Sequence, residues 1–276
     1  MYVDLHIHSQ HSDGTYSMAE IIDKAKSQNI TTLSICDHEC IDVYAEIKNI
    51  GPMDGITIIP GVEITADLDG TSYHILAYAF DLRHEPLQDL LRHNRSIYAD
   101  MGNKLIANMA KDYPNLSTEE FQSYQRNRKN GGWESIDYLR SKGFIHDWES
   151  YIGLAAKYAS PSNHAFFSAQ EVINTVHEAN GYAVLAHLCH HVKLDFIEYE
   201  KKAMQFYDMG IDGFECYYPT FPPQMTQFLV DFCNQRGLMI TAGSDDHGGF
   251  IGAPKDEYYM GAIKRKVEDL VIKRQR

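Results

Sequence analysis

Capped helices alternate with short β-branched strands along most of this chain, and residues able to do chemistry collect near the strand ends. Ser17-Met18-Ala19-Glu20 reads as a capping box, in which hydroxyl and carboxylate satisfy the opening amides of a helix. Met18, Ile21, Ile22 and Ala25 follow as one apolar stripe through about residue 28. Thr31 to Cys36 reads as a strand ending at Asp37-His38. Ile56 to Thr65 reads as a further buried strand whose end carries Glu63, and Ser72 to Phe80 as a strand with His74 near its start. Such alternation is the α/β pattern.

The first strand carries the strongest chemical signal. Val3, Leu5 and Ile7 alternate with Asp4, His6 and His8, so His6 and His8 project from one face. Two imidazoles side by side are costly to desolvate unless something binds them, and a divalent metal is the usual occupant. Asp13-Gly14 then turns the chain and returns a carboxylate close to the pair.

From Pro86 to Tyr113 the texture becomes helical, with Leu87, Leu90, Leu91, Met101, Leu105 and Met109 in register. Ser117 to Glu120 caps another start, and residues 134–142 and 146–158 read as two helices separated by Gly143. No strand is evident between roughly 84 and 165, which predicts a helical insertion. Alternation resumes at a third capping box, Ser168 to Glu171, whose helix stops at Gly181. A strand ending at His187, a helix near 198–209 closed by Gly210, and a strand from Ile211 to Cys216 follow. A helix over about 223–236 stops at Gly237, and a last strand, Leu238 to Ala242, runs into Gly243-Ser244-Asp245-Asp246-His247-Gly248. The tail from Ala262 to Arg276 reads as a basic amphipathic helix.

Composition narrows the function classes. The net charge of −13 argues against broad nucleic-acid binding driven by the phosphate backbone. No apolar run approaches the ~18 residues of a membrane span, and the chain opens directly on a strand, so a cytoplasmic location and no membrane partner are expected. Five cysteines form no CxxC pair, which suits a reducing compartment.

His6, His8, His38, His187, Asp245 and His247 all fall at predicted strand C-termini, with Glu63 near one; in a barrel of parallel strands those ends share a face. Imidazoles and carboxylates without thiolate suit Zn, Mn or Fe at a hydrolytic centre. Asp13, Glu63 and Asp245 are too few to neutralise two or three divalent ions. The pocket is therefore expected to be electropositive within an acidic protein, which favours a phosphate.

Asp4-Leu5-His6-Ile7-His8-Ser9, Ser12-Asp13-Gly14, Asp37-His38, Pro60-Gly61-Val62-Glu63, His74, Ala186-His187 and Gly243 to Gly248 together closely resemble the PHP (polymerase and histidinol phosphatase) domain, nearest to its TrpH-like metal-dependent phosphoesterases. The resemblance implies a distorted (β/α)7 TIM-like barrel made by residues 1–83 and 166–276, with residues 84–165 as a helical cap over the site. It implies one metal on His6, His8, Glu63 and Asp245, a second on Glu63, His74 and His187, and a third on Asp13, His38 and His247. Two to three divalent ions (Mn, Fe or Zn) are expected. The chain departs from the family pattern where an Arg-Pro-His-x-x-Arg segment often stands in the insertion: here Gly132, Trp133, Glu134 and Asp137 align. Leu188 stands where proline commonly follows the histidine, and Tyr218 and Phe221 replace frequent histidines.

The expected activity is hydrolysis of a phosphomonoester, a nucleotide or nucleoside bisphosphate, by a metal-activated hydroxide. Glu63 bridges the metals, and Asp245 or His247 shuttles the proton to the leaving oxygen. Arg92, Arg95, Arg126 and Arg128 are candidates to clamp a phosphate, and Trp133, Tyr138, Tyr217 and Tyr218 to stack on a base. Histidinol phosphate, short 5′-phosphorylated RNA, an amide or other carbonyl substrate, and a non-catalytic module remain the alternatives.

Overall fold

A computed structural model describes residues 1–47, 55–159, 166–192, 195–249 and 259–272. Strand β1 (Tyr2–Ile7) pairs in parallel with β2 (Ile30–Ile35), and β2 with the short β3 (Thr57–Ile58). A second sheet has the order β4 (Gly61–Leu68), β5 (Thr71–Tyr78), β6 (Tyr182–Leu185), β7 (Gly213–Tyr217), β8 (Met239–Ala242). Its pairs β4–β5 and β5–β6 are antiparallel, and β6–β7–β8 are parallel. The fold is therefore mixed α/β in two sheets rather than one all-parallel sheet.

The single strand expected over Ile56 to Thr65 is two strands in two sheets. Pro60 lacks the N–H that a continuous ladder needs, so the chain breaks there. Gly61 then passes so close to β2 that a Cβ would lie 2.1 Å from Ser34 Oγ, and its N–H donates to the Tyr44 hydroxyl at 2.6 Å. Beyond the break, β4 turns at Asp69-Gly70 straight back into β5.

At one rim the sheets are stitched by the segments that follow strands. His38 bridges Glu63, Ile7 bridges Asp246, and Asp245 N–H donates to the His6 carbonyl at 2.8 Å. At the other end, residues 259–272 take the place of the amphipathic helix expected there. Val3 N–H donates to the Arg265 carbonyl at 2.9 Å, and Ile240 and Val271 exchange bonds at 3.1 and 3.2 Å. The open edges of β1 and β8 claim that backbone in extended form, with Leu270 buried; only Val267–Asp269 makes a helical turn. Residues 273–276 lie outside the described residues.

Helices α1 (Met18–Ser27), α2 (Val43–Glu46), α7 (Ala169–Glu178), α8 (Phe196–Asp208) and α9 (Pro223–Arg236) accompany the strands. The capping boxes read at Ser17/Glu20 and Ser168/Glu171 are both formed, and α9 ends at left-handed Gly237 (φ 65°). Between β5 and α7 lie α3 (Glu85–Met109), α4 (Thr118–Gln122), α5 (Glu134–Ser141) and α6 (Trp148–Tyr158), with no strand among the described residues. Leu105, Ile106, Met109, Leu116, Ile136, Tyr138, Leu139, Ile145 and Tyr158 form a core of their own. Leu87, Leu90 and Leu91, on the first turns of α3, belong instead to the main core. No helix among the described residues is long and apolar enough to cross a membrane.

Candidate metal centre

The stitched rim gathers buried imidazoles and carboxylates. Strand β1 places His6 and His8 on one face, both fully buried, with ring centroids 5.1 Å apart. Val3, Leu5 and Ile7 pack the other face, so both sides of this strand are buried. Glu63, also fully buried, lies between the imidazoles. Its Oε2 is 3.1 Å from His6 Nε2, 3.2 Å from His8 Nε2 and 3.4 Å from His38 Nδ1. Its Oε1 faces the other way, 2.8 Å from His74 Nδ1 and 3.0 Å from His187 Nε2. One carboxylate thus presents one oxygen to each of two imidazole clusters.

His74 reaches the rim although it stands near the start of its strand. Because β5 runs antiparallel to β4, with His74 opposite Thr65, its first half lies beside the far half of β4. Asp245 completes the first cluster, its Oδ1 3.3 Å from His6 Nε2 and 3.0 Å from His8 Nε2. Asp13 faces His8, His247 and His38 at 3.5, 3.4 and 3.9 Å. His247 stacks on His8 at 3.8 Å.

Three groups have ligand atoms close enough to share a cation: His6, His8, Glu63 and Asp245; His8, Asp13, His38 and His247; and His38, Glu63 and His74. The first is the four-residue set expected. The second takes in His8 beside Asp13, His38 and His247. The third holds His38, with His187 alongside through Glu63 Oε1. Several of these nitrogens, His8 Nδ1 and Nε2, His38 Nδ1, His74 Nδ1 and His187 Nδ1, are buried without a partner in hydrogen-bond geometry. Buried polar atoms left so are rare and ask for an occupant.

The electrostatics follow from this crowding. Burial alone would push the Glu63 carboxyl up, but His38, His6 and His74 around it hold it well below the usual carboxylate range. Asp13 is lowered in the same way by His247, His38 and His8. Burial opposes charge on His8 too, yet Asp245 and Glu63 pull it up to about 10. His38 goes the other way, to about 3, because burial and the neighbouring His8 and His74 outweigh Glu63 and Asp13.

Residues 4–219 match the PHP domain family. The chain belongs to the PHP domain family. It is 27% identical over 259 residues to a 5′-3′ exoribonuclease of Haemophilus influenzae, with 88% of this chain and 89% of that protein aligned. It is 22% identical over 251 residues to a 3′,5′-nucleoside bisphosphate phosphatase of Chromobacterium violaceum, covering 89% and 87%. A solved structure from Bifidobacterium adolescentis, provisionally described as a metal-dependent phosphoesterase, superposes with a TM-score of 0.80 at 23% identity, covering 96% and 93% of the two chains. The expectation of a PHP metal-dependent phosphoesterase is met.

Around the PHP site, buried groups hold the candidate ligands in place. Asp37 accepts from Ser9 N–H at 2.8 Å and from the hydroxyls of Ser9 and Ser12, which fixes the loop carrying Asp13. His187 and Asp245 both have positive φ, 26° and 56°, a strained conformation for residues with a Cβ. Glu215, in mid-β7, was not singled out from the sequence. Its signal there was an acid inside an otherwise apolar strand. It accepts from His6 Nδ1 and from the His187 N–H, each at 3.0 Å.

The residues considered for substrate contact divide. Trp133 comes within 6.2 Å of His38, ring to ring, and stacks on Tyr98 at 4.7 Å. Arg128 Nη1 is 3.5 Å from His11 Nδ1, and Arg95 donates to the His11 carbonyl at 3.3 Å. Arg126 is buried and donates to backbone carbonyls of Gly132 and Gln10, so its role is to hold the insertion against the rim. Gly132 N–H adds a 2.7 Å bond to the Asp13 carbonyl. Arg92 pairs with Asp89 and, together with Arg95, lines a cleft beside Leu91 and Phe80. Tyr138 is fully buried in the insertion's core, and Tyr217 lies under Arg265. Tyr218 is buried as well, its hydroxyl donating to Asp245 Oδ2 at 2.8 Å.

Proposed function

We propose that this phosphoesterase hydrolyses a phosphomonoester on a nucleotide or nucleoside bisphosphate, using two to three Mn, Fe or Zn ions. The observation that carries the reading is Glu63, placed between two imidazole clusters with one oxygen toward each. The donor set fits divalent ions, because buried imidazole nitrogens lacking hydrogen-bond geometry crowd around carboxylates and no thiol joins them. His6, His8, Glu63 and Asp245 would hold one ion; Glu63, His74 and His187 a second, with His38 close by; Asp13, His38 and His247 a third. Such ions, when bound, supply Lewis acidity that brings a water's pKa to about 7 and neutralises charge on the phosphoryl oxygens.

Of the two residues considered for the proton, we favour Asp245 over His247. Both side chains are 15% exposed, but His247 Nδ1 is engaged with the Asp245 carbonyl at 2.8 Å and its Nε2 faces Asp13 at 3.4 Å, whereas Asp245 Oδ2, met by the Tyr218 hydroxyl, is turned away from the imidazoles. Asp245 then takes the proton from the attacking water and returns it to the leaving oxygen. Trp133 and Tyr98 form an aromatic wall beside His38 for a base, and Arg128 and Arg95 stand at the mouth for a second anionic group. The two sheets are read as a distorted (β/α)7 barrel, residues 84–165 as its cap, and the cytoplasm as its location. Relatives named as an exoribonuclease and a nucleoside bisphosphate phosphatase support a nucleotide over histidinol phosphate.

The test is inorganic phosphate release from 3′,5′-nucleoside bisphosphates, short 5′-phosphorylated RNA and histidinol phosphate, with Mn, Fe or Zn supplied. Turnover of the bisphosphates is expected. Release from none of them, with each metal present, overturns the reading.

A further inference from the structure

Strand β7 contributes no residue to any of the three cation groups, yet it and the residue that follows it touch two of their members, His6 and Asp245, and His187 beside them. Glu215 is 1% exposed, and its two oxygens are divided between two other strands. Oε1 accepts from His6 Nδ1 and Oε2 from the backbone N–H of His187, both at 3.0 Å. If His6 offers Nε2 to a cation, its proton must sit on Nδ1, and Glu215 fixes that tautomer and the ring plane together. The His187 N–H bond holds the backbone of a residue at φ 26°, a conformation that persists only where its surroundings over-determine it. Just past the strand, the Tyr218 hydroxyl donates to Asp245 Oδ2 at 2.8 Å, leaving Oδ1 turned toward His6 and His8. Gly243 makes the approach of β8 possible, since a Cβ there would lie 2.2 Å from His6 Cβ and 2.6 Å from Glu215 Oε1.

We infer that Glu215 and Tyr218 are positioning residues: one non-ligating strand sets the tautomer of His6, the backbone of His187 and the carboxylate orientation of Asp245. This rests on the metal reading of the site. A carboxylate in this place has a purpose that a neutral amide cannot fulfil, because Gln offers one acceptor oxygen where two donors must be met.

The experiment titrates metal-stripped protein with Mn²⁺ and with Co²⁺ by calorimetry, and records the Co²⁺ visible absorption. Wild type, Glu215→Gln and Tyr218→Phe are compared, with circular dichroism and Tm of each metal-free protein alongside. Glu215→Gln is expected to lose about 10- to 100-fold in metal affinity and to change the Co²⁺ band shape, with far-UV dichroism unchanged. Tyr218→Phe is expected to lose less, about threefold to tenfold, with KM for the phosphoester unchanged. Should Glu215→Gln fail to fold, Tyr218→Phe and Glu215→Asp carry the test, Asp being expected to keep more affinity than Gln. Wild-type affinity and an unaltered Co²⁺ spectrum in both folded variants would overturn the inference while leaving the metal site standing. A raised KM with wild-type metal affinity in Tyr218→Phe would make that tyrosine a substrate contact and remove it from the positioning set. Wild-type protein that takes up neither ion would sink the metal reading and this inference with it.

Discussion

The site's floor and the helical insertion proposed as its roof are built on opposite terms. The floor is a set of ionisable groups buried so deeply that His6, His8 and Glu63 have no solvent exposure, held by backbone bonds between two sheets. The insertion is four helices around an apolar core of Leu105, Ile106, Ile136, Tyr138 and Leu139, joined to the rest of the chain by bonds through Gly132 and Arg126 and by α3, whose Leu87, Leu90 and Leu91 enter the main core and whose Asn94 and Tyr98 bond Thr65. The floor spends stability on chemistry, and the roof supplies stability and presents side chains. A change in one should therefore read out differently from a change in the other.

The largest effect is expected from the floor. Glu63→Ala removes the carboxylate facing both imidazole clusters, and phosphate release should fall about 10³-fold or more with metals in excess, the equivalent of several kcal/mol. Near wild-type turnover in that variant would break the comparison at its base. Next comes the roof: Leu139→Ala should lower stability by about 2–5 kcal/mol, read as a denaturation midpoint, since Leu139 is fully buried. The metal affinity of the folded variant should stay at the wild-type value. Third, Trp133→Ala should raise KM for a nucleotide by about tenfold while kcat holds, in line with the loss of one base stack. An unchanged KM would leave Trp133 as packing on Tyr98.

The smallest effect concerns Glu39, buried next to the floor. Burial pushes its carboxyl from an ordinary 4.5 up to about 8, against the donors Thr65 N–H and Asn94. A raised acid contributes stability that is fully present below its ordinary pKa and is lost as pH rises through about 8. Glu39→Gln should therefore flatten stability between pH 5 and 8, at a cost of about 1 kcal/mol at the acid end, where the single amide oxygen meets only one of the two donors. Urea midpoints across that range decide it, and a slope equal to wild type would assign the pH dependence to other groups.

What was legible in the sequence was local. Ser17 with Glu20 and Ser168 with Glu171 close their boxes within one turn, and His6 with His8 share a face by strand periodicity alone. What was hidden depends on pairing. The turn at Asp69-Gly70 sends β5 antiparallel, so a histidine near a strand's start arrives at the same rim as those near strand ends. Glu215 looked like one acid in an apolar strand until β6 and β1 were placed beside it. The tail from Ala262 has a helical pattern, yet the unpaired edges of β1 and β8 hold it extended. Trp133 comes beside His38 and Arg128 beside His11 because buried Asp137 accepts from Tyr124, Asn127 and Asn130 and folds their loop, which no spacing rule announces.

Helix α3 sets how the cleft behaves as a mechanical object. Its 25 residues make a rod about 37 Å long, rooted by Leu87, Leu90 and Leu91 in one core and by Leu105, Ile106 and Met109 in the other. A continuous rod anchored in both cores fixes their spacing along its length.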